Sequence, residues 1–94
     1  MRKLEEVMRN AVNAKRNASI SNTLVSVENN AVKVYLHGNL IYKEENGVKS
    51  FTLAGWNTVT TRSRLNALGV DVRQKNFEPI YKGCVISSYK WYNV

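Results

Sequence analysis

Leu4, Val7, Met8, Ala11 and Val12 recur at the i, i+3, i+4, i+7, i+8 spacing of one helical stripe, which predicts a helix from about Arg2 to Arg16. Arg2, Arg9, Asn13 and Arg16 fall on its opposite face, and Lys15 and Arg16 in the last turn suit the macrodipole. From Thr23 the period shortens to two. Leu24 to Val27, then Val32, Val34 and Leu36 alternating with Lys33, Tyr35 and His37, predict two antiparallel strands. Asn29-Asn30, Gly38-Asn39 and Asn46-Gly47 supply the turns, so Leu40 to Glu44 should pair with Val48 to Ala54. In that meander Phe51 and Leu53 face the core, and Lys49 and Thr52 face outward or lie along an edge.

Asn57 to Gly69 carries the marks of a short second helix: Thr58 or Thr60 as cap, Leu65 and Leu68 directed inward, and Gly69 as a left-handed stop. Val70 and Val72 begin a further strand. Phe77 to Tyr81 and Cys84 to Tyr92 read as two more extended segments joined around Lys82-Gly83, with Pro79 assigning the first to an edge. An N-terminal helix, an antiparallel β-meander, a short second helix and C-terminal strands make the fold class α+β.

Ninety-four residues fit one domain, 1–94, with one modest core. A single cysteine, Cys84, excludes an intramolecular disulfide and points to a reducing compartment. Glu5 and Glu6 stand where a signal peptide needs apolar residues, and no apolar run reaches the roughly 18 residues of a membrane span. The expectation is a soluble, cytoplasmic protein with no membrane partner.

Charge changes the picture further. Fourteen Lys and Arg against seven Asp and Glu give a net +7, of which residues 48–94 carry +5. Such an excess favours polyanionic partners. Catalytic chemistry has little to work with: His37 beside Gly38 reads as an exposed turn imidazole, and Cys84 as apolar filler in a strand. There is no ligand set at metal-binding spacing and no Gly-rich phosphate loop. A non-enzymatic protein without cofactor or metal is expected.

The C-terminal cations cluster as Arg62 and Arg64 in the second helix's first turns, Arg73 and Lys75 after it, and Lys82 and Lys90 on the final strands. Thr60, Thr61 and Ser63 add hydroxyls to the free amides of the helix start, an arrangement suited to phosphate. The same residue types also serve as a plain cap, so both readings stand. Aromatic residues interleave with these cations. Trp56 and Phe77 are expected in the interior, whereas Trp91 and Tyr92, being consecutive, cannot both be buried on one side of a strand. Tyr81 or Trp91 could stack on bases beside the cations.

Leu36-His37-Gly38-Asn39, Leu53-Ala54-Gly55-Trp56-Asn57-Thr58 and Thr60-Thr61-Arg62-Ser63-Arg64-Leu65-Asn66-Ala67-Leu68 together resemble segments of small proteins encoded by tailed bacteriophages. The likeness spans about residues 30–83. It implies a phage origin and an accessory role in the cytoplasm of the infected bacterium, and carries no activity with it. The leading expectation is a nucleic-acid-binding module, for DNA or RNA, in which Arg62, Arg64, Arg73 and Lys75 contact phosphates and Thr60, Thr61 and Ser63 donate from the helix start. The alternative is an inhibitor that takes over a host protein, a polymerase or a defence complex, through the same surface.

Overall fold

The computed structural model describes residues 2–94. Its first helix, α1, runs Lys3–Ala14; Lys15 ends it in the left-handed conformation, so Lys15 and Arg16 lie beyond the last turn. Met8, Ala11 and Val12 enter the core, Leu4 and Val7 lie half-buried, and the buried face also takes in Glu5, which the apolar stripe does not include. Strands follow as β1 Ala18–Ile20, β2 Thr23–Glu28, β3 Ala31–Leu36, β4 Asn39–Glu45 and β5 Val48–Phe51. Then come α2, Val59–Ala67, and the strands β6 Val72–Lys75, β7 Glu78–Tyr81, β8 Cys84–Val85 and β9 Tyr92–Asn93. The architecture is α+β.

Among the described residues, β1 to β5 form an antiparallel meander that β9 closes on its far side, while β6, β7 and β8 form a separate three-stranded sheet. Five of the hairpins turn over two residues that both have positive φ: Asn29-Asn30, His37-Gly38, Asn46-Gly47, Asn76-Phe77 and Lys82-Gly83. This is the type I′ geometry whose twist matches that of paired strands, and it explains why Asn and Gly recur at these positions.

A register shift opposite Val34 and Tyr35 lets β4 turn two consecutive side chains, Ile41 and Tyr42, into the core. The inward face of the meander therefore carries Val25, Val32, Val34, Ile41, Tyr42 and Phe51, against which α1 and α2 are laid. Val70, Val72, Tyr81 and Ile86 bring the second sheet into the same core, with the Tyr81 ring edge-on to Phe51 at 4.8 Å. No helix among the described residues is long and apolar enough to cross a membrane.

Several expectations are corrected. The segment Cys84 to Tyr92 is not one strand: β8 pairs with β7, and the chain then crosses to the larger sheet, where Tyr92 pairs with Phe51. This makes β5 an interior strand, and Thr52 just after it is buried rather than outward. Pro79 lies in β7, the middle strand of its sheet, not an edge. Its carbonyl accepts from the Ile86 N–H, so its nitrogen points to the side where β8 is two residues long.

Trp56 and Phe77 are not core residues; they are 59% and 90% exposed. Each occupies a turn, Trp56 after Gly55 and Phe77 at the β6–β7 tip, where no strand period directs the ring inward. Cys84 is likewise exposed, at the start of β8, a two-residue strand on the edge of the smaller sheet.

Candidate functional site

The start of α2 is set by Thr58, whose hydroxyl oxygen accepts from the Thr61 N–H; the Thr61 hydroxyl pairs with it and is buried. Thr60 is half-buried beside them. The two arginines of this helix have opposite fates. Arg64 turns inward, with 3% of its surface exposed, and its Nη1 donates to Glu5 of α1 at 2.8 Å. Its Nε donates to Thr23 at 3.1 Å and its Nη2 to Asn22 at 3.4 Å. Ser63 donates to the same Glu5 carboxylate.

Burial alone would raise the Glu5 pKa, but the hydrogen bonds from Ser63 and Arg64 and the positive charge of Arg64 outweigh it and hold the carboxyl below its ordinary range. This cluster ties α1, α2 and the start of β2 together. Arg64 and Thr61 are thus not presented to solvent, and Ser63 is engaged by a carboxylate, contrary to the expectation of a phosphate site formed by all three.

Arg62 points the other way. Its Nη1 donates to the side-chain oxygens of Asn57 and of Gln74 in β6, the latter at 2.8 Å, so its charge is held by neutral amides. Asn57 in turn donates to the Phe77 carbonyl at 3.4 Å, which brings the β6–β7 hairpin tip beside the segment that carries Trp56. On the other flank Tyr89, 81% exposed, lies against Gly55: a Cβ there would stand 2.9 Å from the Tyr89 ring, so only glycine lets the ring come this close. Three residues with exposed rings thus meet the segment 55–57: Trp56 within it, Tyr89 with its ring against Gly55, and Phe77 through its backbone carbonyl at Asn57.

The remaining sequence-predicted residues divide. Lys75 and Lys90 are exposed next to this aromatic face in the chain, one near Phe77 and one after Tyr89. Arg73 is exposed but bonded to Asp71 at 3.1 Å. Tyr81 is buried against Phe51, and Lys82 lies over its ring at 5.3 Å, so Tyr81 offers no face for stacking. Trp91 is 41% exposed and capped by the Lys43 ammonium at 4.8 Å, while Tyr92 is half-buried, its hydroxyl accepting from the Ser87 N–H. His37 is exposed, as expected of a turn imidazole. Among the described residues no three His, Cys, Asp or Glu side chains gather where they could hold a metal ion.

A cleft of about 500 Å³ opens between the β3–β4 turn and the start of α2. Leu36, Ile41 and Leu53 form its floor, His37, Asn39 and the threonines of the helix start its polar rim, and Trp56 stands at its mouth. Sequence reasoning missed Trp56, Phe77 and Tyr89 as a shared surface. The available signal was the turn chemistry: Asn76-Phe77 lies between two alternating segments, where a two-residue turn exposes its second residue.

No curated protein and no solved structure matches the chain. The model of the Kyanoviridae Gp96 protein family matches residues 1–93, and the chain belongs to that family of phage proteins.

Proposed function

We propose that this phage protein is a non-enzymatic nucleic-acid binder whose contact surface is the aromatic face of Trp56, Phe77 and Tyr89, flanked by Arg62, Lys75 and Lys90. The observation that carries this reading is Phe77. Four of the five type I′ turns have Asn or Gly as their second residue, and the fifth has a phenylalanine at φ +65° with 90% of its surface exposed. A bulky side chain there costs about 1–2 kcal/mol of backbone strain and contributes no packing, a combination that favours a role in contact with a partner.

Rings of this kind, set among cations, suit unpaired bases: each stacked base is worth about 1–3 kcal/mol, and the cations track the backbone. Of the C-terminal cluster, Arg64 and Arg73 are bonded to carboxylates and Lys82 lies over the Tyr81 ring, which leaves Arg62, Lys75 and Lys90 to meet phosphates beside the rings.

Fluorescence anisotropy with labelled single-stranded and duplex oligonucleotides, between about 50 and 200 mM salt, tests this. Single strands should bind in preference to duplex, with log K falling against log salt at a slope of roughly −2 for three phosphates. Trp56→Ala and Phe77→Ala should each weaken binding by about 1–3 kcal/mol. No binding at low salt, or binding untouched by both substitutions, would overturn the reading. Val59, 68% exposed at the start of α2, favours a second one, a host protein docked on the same face. Capture of one bacterial protein that survives nuclease and high salt would select it.

A further inference from the structure

We infer that the cleft beside the start of α2 takes one unpaired nucleobase, an inference that rests on the nucleic-acid reading above. Leu36, Ile41 and Leu53, each at most 4% exposed, give the cleft an apolar floor. Its rim is polar: Asn39 and Thr60 supply an amide and a hydroxyl, and His37 a ring whose Nε2 pairs with the Asn22 side-chain amide at 3.3 Å. The lining contains no Asp, Glu, Lys or Arg.

A charged group entering the cleft would find no counter-ion, and a purely hydrocarbon ligand would strip water from the rim without replacing its hydrogen bonds. A nucleobase meets both conditions, with apolar faces and an edge of uncharged donors and acceptors. The volume, about 500 Å³, lies within the range of pockets that enclose small ligands and leaves room for the base with part of its sugar.

Position supports the same ligand. Trp56 stands at the cleft mouth and also belongs to the exposed aromatic face, so a strand lying over that face passes the opening. Its phosphates remain outside, on the side where Asn57 holds the Arg62 guanidinium. The base next to Trp56 can turn into the cleft without the backbone leaving the cations.

The test is a methyl-resolved NMR titration of the full chain with two eight-nucleotide probes, oligothymidylate and oligouridylate, together with anisotropy measurements on Thr60→Phe and Asn39→Phe, which fill the cleft from opposite walls. Methyl signals of Leu36, Ile41 and Leu53 should shift along with the Trp56 indole, and each filled variant should bind at least roughly fivefold more weakly, the loss of one base contact. A larger response to one probe assigns the cleft to DNA or to RNA. Shifts at Trp56 and Phe77 with silent floor methyls, and filled variants that bind like the wild type, would overturn the cleft assignment and leave the binding reading intact. Absence of binding by either probe would overturn both. Should the filled variants not fold, the wild-type methyl titration decides by itself.

Discussion

Replacing Arg64 by alanine should unfold this protein more readily than any other single change to its surface-type residues. The guanidinium donates to Glu5, Thr23 and Asn22, and the Arg64 and Glu5 side chains are 4% and 6% exposed, so water cannot take over these bonds. Removing the cation leaves a buried carboxylate with the Ser63 hydroxyl as its remaining donor, and breaking a buried pair from one side costs about 3–5 kcal/mol. A chain of this length has about 5–14 kcal/mol in total at typical per-residue stability. At about 4–8 °C per kcal/mol, the melting temperature should fall by roughly 12–40 °C.

Thermal and urea denaturation followed by circular dichroism would measure the loss, with Arg62→Ala as the comparison, since its partners are amides at a half-exposed site. The paired substitution Glu5→Gln with Arg64→Met should recover part of it, because no charge is then left buried alone. An Arg64→Ala protein within about 1 kcal/mol of wild type would refute the argument, as that is the range of a solvent-screened pair.

Acid should weaken the same cluster: the native Glu5 carboxyl titrates below its unfolded counterpart, so its stabilisation is complete above the ordinary carboxylate range and is lost as pH falls through the depressed native value. Denaturation midpoints of wild type and Glu5→Gln against pH should therefore converge at the acid end, and a constant gap would contradict the assignment. Thr58→Ala should cost about 0.5–2 kcal/mol as loss of the α2 cap, measured by urea midpoint, whereas Thr60→Ala should stay near wild type. Phe77→Gly should raise stability by about 1 kcal/mol by relieving the left-handed turn while weakening oligonucleotide binding. A loss of stability there would mean that the ring is a packing element after all.

Much of the fold was legible because local chemistry and tertiary placement agree. Asn46-Gly47 announces its hairpin, Met8, Ala11 and Val12 announce the buried stripe of α1, and the alternation through Val32, Val34 and Leu36 announces a one-sided strand. What stayed hidden depends on distant partners. β1 is three residues with no pattern of its own and exists because β2 offers it an edge. β9 departs from the direction of β8 because Tyr92 finds Phe51, whose ring lies 5.9 Å away, a contact that no local period encodes.

The misassigned arginines show what was recoverable with stricter geometry. Residues i and i+2 of a helix lie about 200° apart, so Arg62 and Arg64 could never have shared one phosphate. One of them had to follow Leu65 and Thr61 toward the interior, and a buried arginine requires a carboxylate. Glu5, next to Leu4 and bordering the apolar stripe of α1, lies on the face that meets α2, and the two become a pair when the helices meet. The Arg64–Glu5 and Arg73–Asp71 pairs are each neutral and leave the net charge at +7, but they take Arg64 and Arg73 out of the set of cations free to meet a partner. What does face outward around residues 55–57 is an amide-held guanidinium, exposed rings and, near those rings in the chain, Lys75 and Lys90, a surface better suited to flat, partly apolar ligands than to a bare array of phosphates.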